Sequence, residues 1–135
     1  MMDLRTVSKL LYQLKLATQE TTTKFERETG FSITRYELLL FLQEQGECTQ
    51  TVLQNELQID SAAVTRHLKL LEEKGYVVRK RNSENNREVF VKPTSKALTD
   101  LTTCKNEHEQ TQANLLPLDD QEGATLLELL TKLVK

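Results

Sequence analysis

DSAAVTRHLKLLEEKG, residues 60–75, carries the pattern of one helix of about four turns. Asp60 supplies an acceptor for the orphan N–H groups at its start. Gly75 can end it in the left-handed conformation. Val64, Leu68 and Leu71 recur at i, i+4 and i+7 and make a narrow apolar stripe. Ala62, Thr65, Arg66 and Lys69 fall on the opposite face. Of these four, only Arg66 has the planar fork that matches O6 and N7 of guanine, while Ala62 and Thr65 can offer a methyl to thymine. Such a helix can enter a DNA major groove. A solvated amphipathic helix would look the same in isolation, so the flanking sequence has to decide.

Upstream, Thr49 can cap a short helix from Gln50 to Leu57, joined to the first by Gln58-Ile59-Asp60. Two helices joined by so short a turn, the second basic, form a helix-turn-helix. Gln58 stands where the turn usually has Gly. Downstream, 76–81 and 88–92 are β-branched and aromatic-rich and flank the polar segment 82–86. That predicts a hairpin with Arg79, Lys80 and Arg81 at its base and Arg87 at the start of the return strand. A basic hairpin after a recognition helix is a wing, which lies along the DNA backbone and can reach the minor groove.

The frame around this module is helical. Thr34-Arg35-Tyr36-Glu37 reads as a capping box opening a helix through the Leu38–Leu42 run, closed by Gly46. Its apolar second turn marks it as the buried centre. Residues 3–28 form a long helix with Val7, Leu10, Leu11, Leu14, Ala17, Thr21 and Phe25 on its stripe, ended by Gly30. It is long for so small a domain and is expected to pack outside its own subunit. Pro93-Thr94 ends the hairpin and caps a fifth helix, with Ala97, Leu101, Cys104 and His108 on one face. After Pro117, Asp119-Asp120-Gln121-Glu122 opens a last helix bearing Leu126, Leu127, Leu129, Leu130, Leu133 and Val134, too apolar to lie alone.

Composition narrows the function. With 135 residues and 38% hydrophobic content the chain makes one globular domain, and it has no long apolar run of membrane-spanning length. The N-terminus lacks the pattern of a secretory signal, and Cys48 and Cys104 are not in a Cys-x-x-Cys arrangement, so both are read as reduced thiols of a cytoplasmic protein. Net charge is −2, but it is unevenly spread: −3 over residues 1–60, +4 over 61–92 and −3 over 93–135. A basic middle between acidic ends suits a DNA-reading module on a frame that leaves DNA alone. His67 and His108 sit in no nucleophile or zinc motif. Cys104 and His108 share a face without a third ligand nearby. No enzyme activity, metal or cofactor is expected.

The order of elements, and above all AAVTRHLKLLEEKGYVVRKR (62–81) and LDDQEGATLLELLTKL (118–133), resembles the MarR family of winged helix-turn-helix transcriptional regulators over essentially the whole chain. The resemblance implies a homodimer interleaving the first, fifth and sixth helices. It also implies a pseudo-palindromic double-stranded operator, and commonly repression relieved by a small ligand or by thiol oxidation. Two positions depart from the family pattern. The wing's usual Asp-x-Arg is Asn85-Asn86-Arg87, which removes the acidic half of an internal ion pair, and the usual Leu-Thr-x-x-Gly is Pro93-Thr94-Ser95-Lys96-Ala97. The wing is also similar to SarA-type regulators.

The expected fold is mainly α with a small β-hairpin wing, a winged helix-turn-helix plus a helical dimerisation region. Residues 1–30 and 94–135 form the dimerisation region and 34–92 the winged helix-turn-helix, with 50–74 the helix-turn-helix and 77–92 the wing. DNA contacts are expected from Thr49, Gln50, Ser61, Ala62, Thr65, Arg66, Lys69, Arg79, Arg81, Asn85, Asn86 and Arg87. Dimer contacts are expected from Val7, Leu11, Leu14, Leu126, Leu130 and Leu133. A pocket for a small aromatic or phenolic ligand is expected near Tyr36, Leu40, Cys104 and His108. Two alternatives remain open: a winged helix that binds protein without DNA, and a SarA-type global regulator that senses no small ligand.

Overall fold

The computed structural model describes residues 1–85, 87–111 and 115–134. The elements run α1 (Leu4–Thr29), α2 (Ile33–Gln45), β1 (Cys48–Thr49), α3 (Gln50–Leu57), α4 (Ser61–Glu73), β2 (Val77–Arg81), β3 (Val89–Pro93), α5 (Ser95–Thr111) and α6 (Asp120–Leu133).

Caps written in the sequence set most boundaries. Asp60 Oδ1 accepts from Ala63 N at 2.7 Å, and Thr49 Oγ1 accepts from Val52 N at 3.3 Å. Asp119 and Glu122 form a reciprocal capping box. Gly30 closes α1 at φ 82°. The start of α2 differs from expectation. Ser32 is the cap, accepting from Arg35 N at 3.3 Å, so Thr34 and Glu37 lie inside the helix and form no box. The physical reason is a hydrophobic staple: Phe31, just before the cap, packs edge-on against Tyr36 four residues into the helix, with ring centroids 5.7 Å apart.

The expected hairpin is one part of a three-stranded antiparallel sheet ordered β1-β3-β2. Val77 pairs with Pro93, Arg79 with Val91 and Arg81 with Val89. β1, which the sequence did not suggest, adds Cys48 opposite Val91 and Thr49 opposite Phe90. Two residues are too few to show a strand's alternation.

The core is built from α2, α3, α4, α5 and the sheet. Leu38, Leu39, Leu42, Leu53, Val64, Leu68, Leu71, Val77, Val91, Ala97 and Leu101 are buried together. Neither α1 nor α6 contributes a buried residue. Among the described residues α6 makes no substantial packing contact with any other element. No helix of the described chain is long and apolar enough to cross a membrane.

Candidate nucleic-acid interface

α4 is held by its inner face and open to solvent on its outer one. Val64, Leu68 and Leu71 are essentially inaccessible, whereas Ser61, Ala62, Thr65, Arg66 and Lys69 are exposed. Among the described residues, Arg66 and Lys69 have no hydrogen-bond or ion-pair partner, so their cations are available to a ligand. Thr65 donates its hydroxyl to the Ser61 carbonyl at 3.0 Å, so that proton is already used. Between the two helices, Gln58 adopts the left-handed conformation (φ 54°, ψ 44°) that Gly usually supplies. The turn therefore keeps its geometry despite the missing glycine.

Thr49 and Gln50, expected near DNA, are half-buried at the start of α3. Thr49 is occupied as the cap, and Gln50 Oε1 is buried without a hydrogen-bond partner.

The wing's base is tied to the recognition helix. Arg79 Nη2 donates to Glu72 Oε1 of α4 at 2.9 Å, and this ion pair holds the Glu72 carboxyl below the usual carboxylate range. Arg79 is thus committed inside the fold, and it is half-buried where Lys80, Arg81 and Arg87 are exposed. Asn82 closes the loop, bonding Glu88 through both backbone and side chain. Asn85 Oδ1 accepts from Arg87 N at 3.1 Å. Asn85 thus caps the turn at the backbone, as Asn and Asp side chains do in Asx-turns. Asn86 lies outside the described residues.

Behind α4, His67 is half-buried, with Nδ1 3.3 Å from Arg35 Nη1. Arg35 can only donate, so Nδ1 must be the unprotonated nitrogen here. Burial, then the charges of Arg35 and Arg66, push the His67 pKa down.

The residues expected in a ligand pocket are only partly brought together. Burial, then the nearby Cys104 thiol, raises the Tyr36 pKa, and burial, then Glu107, raises that of Cys104. Leu40 lines a different cleft, about 460 Å³, with Glu37, Phe41, Glu44, Glu56 and Leu57. His108 is exposed on α5. Burial likewise raises the Cys48 thiol. Among the described residues no group of three or more His, Cys, Asp and Glu could hold a metal ion.

The six residues expected at a dimer contact form the apolar side of α1 and α6. Val7, Leu14 and Leu130 are half-buried, while Leu11, Leu126 and Leu133 are 56%, 40% and 61% exposed. With Leu4, Leu10, Leu127 and Leu129 they leave two helices with uncovered apolar faces.

Several features escaped the sequence reading: β1, the Glu72–Arg79 pair and an aromatic row from Phe25 through Tyr36 and Phe31 to Tyr76. Only the last left a signal, in the staple spacing of Phe31 and Tyr36.

Residues 31–89 match the profile of the MarR family. The chain is 39% identical over 127 residues to YdgJ of Bacillus subtilis, an uncharacterized HTH-type transcriptional regulator, covering 93% of this chain and 77% of the relative. Among solved structures, a probable transcriptional regulator from Pseudomonas aeruginosa superposes with a TM-score of 0.78 at 25% identity, covering 90% of this chain and 94% of the other. A mutant MarR from E. coli complexed with operator DNA superposes with the same TM-score, 0.78, at 24% identity, covering 99% and 100%.

Proposed function

We propose that this chain, which belongs to the MarR family of transcriptional regulators, represses transcription as a cytoplasmic homodimer that binds a pseudo-palindromic operator. Residues 34–92 are the reading head, with 50–74 as its helix-turn-helix and 77–92 as its wing. Residues 1–30 and 94–135 supply the dimer contacts.

One observation carries the reading. Arg66 and Lys69 stand exposed and unpartnered on a helix whose opposite face is buried. A cation left unpaired on a rigid, capped helix is poised for a ligand, and the planar fork of Arg66 suits a guanine edge. Ser61, Ala62 and Thr65 occupy the N-terminal half of α4, the part that meets base edges in helix-turn-helix proteins. Arg81 and Arg87, with the Asn85 turn, serve the backbone and minor groove. The uncovered faces of α1 and α6 favour a second copy, because exposed leucines on two long helices need a cover.

A small aromatic or phenolic ligand would lodge beside Tyr36 and Cys104 once a partner subunit covers α5. Protein binding without DNA would leave the unpaired Arg66 and Lys69 without a task.

The test is selection of bound duplexes from a random pool, with light scattering of the free protein at micromolar concentration. Two half-sites related by a dyad, spaced by about one helical turn of 10–10.5 base pairs or a multiple, are expected. The expected mass is twice the 15.6 kDa of the chain. No enriched motif, or a monomer mass, refutes the proposal.

A further inference from the structure

Tyr76 stands at the exit of α4, where it meets α5 and, through Phe31, the segment between α1 and α2. It follows Gly75, whose φ of 79° turns the chain out of α4. Its hydroxyl donates to Asp100 Oδ2 of α5 at 2.8 Å. Its ring lies 5.8 Å from Phe31, which leads through Tyr36 to Phe25 of α1. Lys96 Nζ sits 5.0 Å from the ring centroid and donates to the Lys74 carbonyl at 2.8 Å. Thr94 Oγ1 donates to the Gly75 carbonyl at 2.7 Å. Backbone N–H groups of Lys74, Gly75 and Tyr76 close the last turn of α4, and side chains at the entry to α5 bind the next two carbonyls, those of Lys74 and Gly75. Lys96 also places a cation at the negative end of the helix dipole.

All of this grips α4 at the end far from Ser61 and Ala62. The helix has 13 residues. At about 1.5 Å per residue, its reading end sits roughly 20 Å from the joint. A tilt of about 10° there sweeps the reading end by about 3.5 Å, close to the roughly 3.4 Å rise of one base pair. In a dimer that reads two half-sites, looseness of this size at the joint becomes an error of one base pair in spacing.

We infer that Tyr76, held between Phe31, Lys96 and Asp100, is a positioning residue that fixes the angle of α4 to α5 and thereby the half-site spacing the dimer accepts. The inference rests on the dimeric operator reading proposed above. It assigns Tyr76, Lys96 and Asp100 no contact with DNA: they govern which spacing is bound, not which bases.

The experiment compares the full-length protein with Tyr76→Phe/Lys96→Met and with Lys96→Arg, each confirmed folded by circular dichroism and thermal unfolding. Duplexes carry the selected half-sites with their separation stepped one base pair at a time. The unaltered chain and Lys96→Arg should prefer one spacing. The double variant loses the Tyr76–Asp100 and Lys96–Lys74 hydrogen bonds, so the preference for that spacing over its immediate neighbours should fall by about 5-fold to 30-fold, the size of one to two missing hydrogen bonds, with half-site sequence preference unchanged. A uniform loss at every spacing overturns the inference and identifies the cluster as structural only. A second readout needs no DNA: the inter-subunit distance between spin labels at Ser61→Cys, with Cys48 and Cys104 replaced by Ser. The distance distribution should broaden in the double variant. An unchanged distribution overturns the inference and leaves the operator reading standing, whereas the lack of any inter-subunit distance overturns both.

Discussion

Replacing Arg66 by Ala should separate base reading from backbone positioning. Arg66 is exposed and has no hydrogen-bond or ion-pair partner among the described residues, so its removal should leave the thermal midpoint nearly unchanged. On the operator, each half-site gives up one forked pair of hydrogen bonds, a cost of about 1–3 kcal/mol. The dimer carries two copies a helical turn or more apart, too distant to share partners, so the costs add to about 2–6 kcal/mol. That is a fall in affinity of roughly 30-fold to more than 10,000-fold. Scrambled duplex should suffer far less, because its binding draws on phosphate contacts alone. Arg87→Ala should do the converse, weakening both duplexes about equally and lowering the salt slope by roughly one unit for each phosphate no longer neutralised. The assay is a fluorescence-anisotropy titration of each variant against operator and scrambled duplex at several salt concentrations. If Arg66→Ala weakens both duplexes equally while Arg87→Ala changes sequence preference, the division of labour between helix and wing is refuted.

Two further outcomes follow from the geometry. Gln58→Gly should raise stability by about 0.5–1 kcal/mol in urea unfolding, because relief of left-handed strain at φ 54° exceeds the entropy that glycine adds to the unfolded chain; a lowered midpoint contradicts this. His67 titrates below its ordinary 6.5 in the folded chain, so the unfolded state takes up its proton first as pH falls. Its neutral form therefore adds stability that is fully present above pH 6.5 and is lost as pH falls through the window beneath it. His67→Gln, which keeps an acceptor for Arg35, should flatten stability against pH between 7.5 and 5, roughly the range a histidine spans. An identical slope in the two proteins would show that the ring is not the source.

Local chemistry made much of the fold legible. Asp60, Thr49 and Asp119 announce helix starts because a short polar side chain can reach a backbone N–H three residues on. Val64, Leu68 and Leu71 announce the buried side of α4 by their spacing. At α2, Thr34 and Glu37 have the spacing of a capping box, but the Phe31–Tyr36 contact starts the helix earlier. The wing's basic character was visible as composition. That Arg79 is already spoken for was not, since it meets Glu72 only after the chain turns at Gly75. Tyr76 and Asp100 are 24 positions apart, and nothing local marks either as the other's partner.

The confinement of the core to α2–α5 and the sheet has a consequence for how a dimer would lose its operator. If two copies pair as proposed, the body formed by α2–α5 and the sheet keeps its own buried interior when they part and loses its tether to the second one. Separation then acts on avidity. A single head faces one half-site without the high effective concentration its partner supplies, a penalty that can reach 100-fold to 10,000-fold while every group facing DNA stays in place. Anything that pries α1 and α6 from a second copy would therefore empty the operator while leaving each reading surface intact.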